Sequence, residues 1–277
     1  MNTPKELPNL QFDEVGLATA RHGEYLLRSV FQLIFRRDGN LLRAAMVEGR
    51  LRPYLNGDPV PLESYASHAQ KSAGAAYAFS CMTLHASNHH HCGVDDIVHL
   101  LSGHFTVGQG TVRDVEHLIA ETGMDPSEIV FTLNLDGEHP EGISDRELAV
   151  ASALKGLGVG LALRLPSGAK FDALALGAIK PDVLRLNAGG LSLVLQDAGA
   201  RRLFSSHVDQ MQRDGINVLM DGVDTPELFG LALSVNVKMM GGEALAPAQL
   251  AGTLPPPSEI ILRKDGAPPV PLRVGQS

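Results

Sequence analysis

The stretch Leu157 to Asn187, LGVGLALRLPSGAKFDALALGAIKPDVLRLN, constrains the fold more than any other part of the chain. An apolar run from Val159 to Leu165 ends at Pro166-Ser167-Gly168. A helix-like segment, Phe171 to Ile179, follows, and Pro181 stops it. A second extended run opens at Asp182 and reaches Asn187. Strand, turn, helix and strand in so short a space make the βαβ unit of a parallel sheet, because parallel strands need a crossover that returns along the sheet. Ligands of such sheets gather beyond the C-terminal strand ends. Those ends are Arg164-Leu165 and Arg185 to Asn187, and the first of them offers no carboxylate.

From residue 95 onward the chain alternates strand and helix without a break, as a (β/α) barrel or a doubly wound sheet would. The pattern predicts strands at Asp95 to Leu101, Ser127 to Leu135, Asn217 to Met220 and Val237 to Met240. It predicts helices at Thr111 to Thr122, Ser144 to Leu157, Leu191 to Arg213 and Thr225 to Ser234. Gly123 closes the first of these, and Ser144 with Glu147 forms a capping-box pattern at the start of the second. Upstream, Val30 to Phe35 and Leu41 to Val47 flank Arg37-Asp38-Gly39 and read as a β-hairpin, although Leu41 to Glu48 also suits a helix. Pro61 to Ser87 reads as a helix with an Ala/Gly interruption. Residues 1–22 are polar, a loose arm or a short helix, and 23–253 are expected to form the α/β body. Residues 254–277 are a proline-rich, extended or partly disordered tail.

Composition narrows the class. The 277 residues carry a net charge of −8, which argues against a non-specific nucleic-acid binder. Two cysteines, Cys81 and Cys92, make no disulfide framework. The N-terminus is polar and no apolar run is long enough to span a bilayer. The expectation is a cytoplasmic protein bound to neither nucleic acid nor membrane.

Several landmarks resemble one family. Phe31-Gln32-Leu33-Ile34-Phe35 looks like a Tyr-Gln-Pro-Ile-Val strand, and Asp38-Gly39 like the hairpin turn after it. Pro181 to Asn187 looks like Val-Asp-Tyr-Leu-Lys-Ile-Asp, and Val218 to Thr225 like Ile-Ala-Glu-Gly-Val-Glu-Thr. Together they resemble the EAL domain, the bacterial cyclic di-GMP phosphodiesterase family, over roughly residues 28–250. The resemblance implies a (β/α)8-like, TIM-type α/β barrel whose first strand is antiparallel to the rest. It also implies two divalent metals and a metal-activated water. Such metals need several oxygen ligands, mostly carboxylates.

By spacing, those ligands are missing. The signature glutamate falls on Ala45 and the signature arginine, four residues on, falls on Gly49, beside Arg50. The third-strand glutamate falls on Thr132, and the Asp-Asp pair on Arg164 and Leu165. The lysine becomes Arg185 and the following aspartate Asn187, while the last acidic pair becomes Asp221 and Asp224. The expectation is no metal, no cofactor and no catalysis. Arg164 and Arg185 are expected to pair internally with Asp221 and Asp224, the alternative being a small anion site. Asp224 or Thr225 caps the next helix before Pro226. Glu243-Ala244-Leu245 spells the signature far from its place and reads as coincidence. Gly108 to Thr111 is a turn before a helix.

Cys81, His85 and His89 at i, i+4 and i+8 would share a helix face, followed by His90, His91 and Cys92. They read as a polar helix end, with zinc as the alternative. The functional expectation is an inactive, EAL-like regulatory protein in bacterial signalling. It would bind a protein of unknown identity or a second copy of itself, and the aliphatic helix after Leu191 is its candidate surface. The alternative is a cyclic di-GMP receptor without turnover, resting on Arg50, Arg164 and Arg185. Receptors of this family usually keep the signature glutamate and arginine.

Overall fold

The computed structural model describes residues 9–72, 75–102, 111–134, 144–164, 173–192, 196–253 and 259–262. In chain order, β1 (Asn9–Phe12) and β2 (Ala18–His22) lead into a long hairpin, β3 (Tyr25–Asp38) and β4 (Leu41–Leu55), closed by β5 (Asp58–Pro59). Helices α1 (Leu62–Ser72) and α2 (Ala75–Ser87) follow. Then come β6 (Val98–Leu101), α3 (Thr111–Thr122), β7 (Ile129–Asn134), α4 (Asp145–Gly156), β8 (Gly160–Arg164) and α5 (Ala173–Ile179). The chain continues through β9 (Val183–Asn187), α6 (Ala188–Ser192), α7 (Ala198–Arg213), β10 (Asn217–Asp221) and α8 (Pro226–Ser234). It finishes with β11 (Met239–Gly241), β12 (Gln249–Leu250) and β13 (Glu259–Ile261).

Eight of these strands close a barrel. From β4 the order runs β6, β7, β8, β9, β10 and β11, each parallel to its neighbour. β3 closes the ring, antiparallel to both β11 and β4. The period-two alternation of each strand sorts its side chains. Ile34, Met46, Leu100, Val130, Ala162, Val183, Leu219 and Met239, one per strand, fill the interior. Their neighbours point outward: Phe131, Leu161, Leu184, Val218 and Met240 meet Val115 and Leu118 of α3, Leu154 of α4, Val208 of α7 and Phe229 of α8. The runs are apolar on both faces because a parallel barrel buries both.

Local signals placed the helices. Ser144 caps α4, and its side chain and that of Glu147 satisfy each other's backbone N–H as the capping box requires. Thr225, rather than Asp224, caps α8 before Pro226. Gly123 follows α3 at φ 69°, a left-handed conformation that suits glycine.

Two expectations are corrected. The described part of the arm is strand, not loose chain or helix: β1 pairs with β2 and β2 with β3. The reason lies far away in sequence, since the Asn88 side chain grips the Ala18 backbone at both N–H (2.7 Å) and C=O (2.8 Å). The long helix after Leu191 is instead α6 and α7, because Asp197 starts a new helix by accepting from the Ala200 N–H at 2.7 Å. The interruption expected within Pro61 to Ser87 agrees with α1 ending at Ser72 and α2 beginning at Ala75. Within the expected tail, β13 pairs antiparallel with the start of β4. Leu165, the Pro166–Gly168 turn, Gly108 to Gly110 and the rest of the tail lie outside the described residues. Among the described residues no helix is long and apolar enough to cross a membrane.

Candidate functional site

One step of the strand pleat beyond the apolar interior, toward the C-terminal mouth, the barrel turns polar. Two residues on from the interior positions of β4, β6, β7, β8, β9 and β10 come Glu48, Ser102, Thr132, Arg164, Arg185 and Asp221, and two residues back on antiparallel β3 comes Gln32. These side chains form a ring with Arg185 at its centre. Arg185 is 1 % exposed. Its Nη2 donates to Glu48 Oε1 and to Asp221 Oδ2, each at 2.7 Å, and its Nε donates to Asp221 Oδ2 at 3.1 Å. Its Nη1 donates to Thr132 Oγ1 at 3.2 Å and to Ser102 Oγ.

The carboxylates are held from their other sides too. Ser102 Oγ donates to Glu48 Oε1 at 2.8 Å, and Arg50 grips Glu48 Oε2 through Nε (3.1 Å) and Nη2 (3.0 Å). Arg164 Nη2 reaches Asp221 Oδ2 at 3.3 Å. Burial by itself would raise the Glu48 pKa, but Arg185, then Arg50 and the Ser102 hydrogen bond, hold it far below the usual carboxylate range. Burial would lower the Arg185 pKa, and Glu48 and Asp221 more than reverse it. Arg164 is shifted down, first by burial and then by Arg185 beside it. Within the ion-paired cluster three guanidiniums, Arg50, Arg164 and Arg185, face the two carboxylates Glu48 and Asp221.

Sequence spacing anticipated part of this. Arg164 and Arg185 do pair with Asp221, and Thr132 does stand in the ring. Asp224 is exposed and instead accepts from the Glu243 N–H at 3.0 Å. Asn187 accepts from the Gly190 N–H at 2.9 Å, at the start of α6. Arg50 joins the ring through Glu48. Glu243 accepts from Gln32 Nε2 at 3.0 Å at the rim. Gln32 Oε1 is buried and has no hydrogen-bond partner among the described residues.

Glu48 itself was missed. Counting from the Asp38-Gly39 turn along a regular hairpin puts Ala45 opposite the inward-facing Ile34. The structure pairs Phe35 with Ala44 but Ile34 with Met46, so Ala45 is the extra residue of a bulge. One extra residue flips every side chain beyond it. Met46, Glu48 and Arg50 therefore turn inward, and Gly49 turns outward against His85. The available signal was a lone carboxylate in the strand sequence AAMVEGRL, which burial would oblige to find a cation.

The histidine and cysteine cluster does not share one helix face. α2 ends at Ser87, so His89 lies in the short 3-10 turn His89–His91. Buried His85 bonds Ser29 Oγ at 2.9 Å through Nδ1, His89 Nδ1 bonds Ala86 O at 2.8 Å, and Cys92 Sγ donates to Val94 O at 3.2 Å. Among the described residues no three His, Cys, Asp or Glu side chains converge on a metal position.

A sequence profile of the EAL domain matches residues 73–248. The chain belongs to the EAL domain family. No curated protein matches it in sequence. Solved EAL structures share its fold at low identity. The PaMucR phosphodiesterase, in complex with c-di-GMP, is 16 % identical with TM-score 0.64, covering 80 % of this chain and 92 % of that one. BlrP1 of Klebsiella pneumoniae, with calcium and cyclic diGMP, is 16 % identical with TM-score 0.65; the match covers 82 % of this chain and 57 % of BlrP1. The FimX EAL domain of Pseudomonas aeruginosa, bound to c-di-GMP, is 14 % identical with TM-score 0.61, covering 82 % of this chain and 92 % of that one.

The EAL resemblance implies a pair of divalent ions at this mouth, and the described donor set does not fit them. Each ion would need about six oxygen ligands, with carboxylates free to supply the charge and carbonyls, hydroxyls or waters the rest. The ring presents two carboxylates, both already bonded to the Arg185 guanidinium, with two further arginines beside them. The remaining ring groups are two hydroxyls and an amide, and each carboxylate's charge is already met by arginine.

Proposed function

We propose that this EAL-family chain has given up phosphodiester hydrolysis and acts in bacterial cyclic di-GMP signalling as a cytoplasmic regulatory protein that binds another protein. The observation that carries this reading is the buried Arg185, bonded at 2.7 Å to both Glu48 and Asp221. A reaction that needs metal-bound water would have to begin by displacing a tethered cation from its only two carboxylates in the ring. The ring also fills its own centre, which leaves recognition to the outside of the barrel. There α7 buries Phe204, Val208 and Met211 and leaves Leu203 61 % exposed, an apolar contact point for a partner or a second copy of the chain.

One feature favours a second reading, a receptor that holds cyclic di-GMP without turnover. With the bulge counted, Glu48 and Arg52 keep the four-residue spacing of the signature glutamate and arginine, in the stretch Glu48-Gly49-Arg50-Leu51-Arg52. Side chains of Arg50 and Arg164 are 37 % and 39 % exposed at the rim, so both can offer N–H groups to phosphate.

Calorimetric titration with cyclic di-GMP, with and without Mg²⁺ or Mn²⁺, followed by an assay for linear product, tests both readings. No heat and no product supports a protein-binding regulator. Micromolar binding without product moves the assignment to the receptor. Product at ordinary enzyme rates sinks the non-hydrolytic reading altogether.

A further inference from the structure

We propose that the mouth holds a divalent-cation site whose occupant is the chain's own guanidinium, so that Arg185 serves as a tethered structural counter-ion for Glu48 and Asp221. The inference rests on the reading above in one respect: that no metal ion is resident in the ring.

The geometry is that of a counter-ion. Arg185 Nη2 sits between Glu48 Oε1 on β4 and Asp221 Oδ2 on β10, 2.7 Å from each. The two carboxylate oxygens therefore lie no more than about 5.4 Å from one another inside the barrel, where repulsion is weakly screened. Neither carboxylate is exposed beyond 9 % of its side chain. Two buried anions that close together require a cation between them. The remaining contacts, Nη1 to Thr132 on β7 and to Ser102 just after β6, are oxygen contacts of the kind a hard cation would also collect. From its own place on β9 the group ties together strand ends of β4, β6, β7 and β10.

Arginine is suited to this role and lysine is not. Its charge is permanent, its hydration is weak, and its planar fork reaches several acceptors at once. Tethering changes the dependence on solution. A bound metal stabilises a fold by mass action and is lost on chelation, whereas a side-chain cation cannot be diluted. The barrel is therefore indifferent to divalent ions, and removing the guanidinium uncovers an exchangeable site made of Glu48, Asp221 and the two hydroxyls.

The test is thermal unfolding of the full chain in EDTA, in CaCl2 and in MnCl2. For the wild type we expect one midpoint in all three. For Arg185→Met, which keeps similar reach without charge, we expect a lower midpoint in EDTA that rises saturably with Ca²⁺ or Mn²⁺. Adding Glu48→Gln to that variant should abolish the rise. A cation-dependent midpoint in the wild type, or none in Arg185→Met, overturns the proposal. Should Arg185→Met fail to fold in every buffer, the triple variant Arg185→Met/Glu48→Gln/Asp221→Asn decides. It removes the unpaired anions, so folded and cation-indifferent protein supports the proposal, and failure to fold overturns it. Linear product from cyclic di-GMP with a cation-indifferent wild-type midpoint would strike the functional reading alone, whereas product with a cation-dependent midpoint would strike both.

Discussion

Acidification from pH 7.5 to pH 5 should destabilise the protein through two buried histidines. His85 is packed against Gly49 under the hairpin and bonded to Ser29, and burial pushes its pKa down to about 4, with Glu48 opposing only weakly. His99 lies on the outer face of β6 near Phe31, and burial, with His89 and His90 close by, also lowers it to about 4. Unfolded, each would titrate at its ordinary 6.5. A depressed folded pKa means that stability is complete above pH 6.5, falls as the unfolded chain takes up protons, and levels off near pH 4. At pH 5 the unfolded form is almost fully protonated and the folded form barely so, which costs about 2 kcal/mol per histidine. Two such groups remove about 4 kcal/mol, a large share of an ordinary domain's stability. Urea unfolding at half-unit pH steps measures this directly. His85→Asn, which keeps a polar group toward Ser29, should flatten about half of the slope, and His85→Asn/His99→Asn most of it. Wild-type stability that stays within about 0.5 kcal/mol between pH 7.5 and 5 would refute the argument. So would an undiminished slope in the double variant.

Glu48→Gln leaves Arg185 with Asp221 as its one carboxylate in the ring, and unfolding free energy should fall by about 3 kcal/mol near neutral pH. Because Glu48 is held well below its ordinary 4.5, its contribution is complete above that pH and is lost on acidification, so the gap to wild type should close in unfolding series taken below pH 4.5. Gly49→Ala would place a methyl 2.7 Å from Cβ and Cγ of His85, atoms near the α2 backbone that cannot swing away; chemical denaturation should show a loss of about 1–3 kcal/mol. Asn88→Ala removes the grip on Ala18 and a 3.1 Å bond to Ser29, so limited proteolysis should cut between residues 9 and 22 in the variant before it cuts the wild type. Ser144→Ala breaks the capping box of α4 and should cost about 1 kcal/mol by the same unfolding measurement.

Wherever a local rule decides, the sequence was readable. Short apolar runs separated by a helix gave β8 and β9, and their C-terminal ends marked Arg164 and Arg185. Ser144 with Glu147, Thr225 with Pro226, and Gly123 marked helix ends through short-range hydrogen bonds and backbone preference. The misreadings all depend on contacts between distant residues or on a break in regularity. Nothing in Asn-Leu-Gln-Phe marks β1 as a strand; it pairs with β2 because Asn88 fixes Ala18 from across the sheet. Leu191 to Arg213 carries enough helix formers to read as one element, and only the Asp197 side chain shows where it restarts. Glu48 disappeared from the ring for the most economical reason: a single bulge residue, Ala45, inverts the inward and outward sense of the strand beyond it. Its partner Arg185 stands 137 positions away, a pairing that no window on the sequence can see.

The hairpin also has a consequence for how the molecule comes apart. β3 and β4 continue past Gln32 and Glu48 to Tyr25 and Leu55, and on this overhang sits a second, smaller core of Ala18, Ala20, Leu27, Leu51, Tyr65, Cys81 and Leu84. It shares no residue with the large core around the barrel. Separate cores open as separate units, and amide exchange follows the local opening of each one. The overhang is the smaller unit and can breathe while the barrel stays closed. Leu51, on the outward face with Gly49, belongs to this smaller core while Glu48, three residues away on the same strand, faces the barrel, so amides of one strand should exchange at two different rates on either side of Gly49.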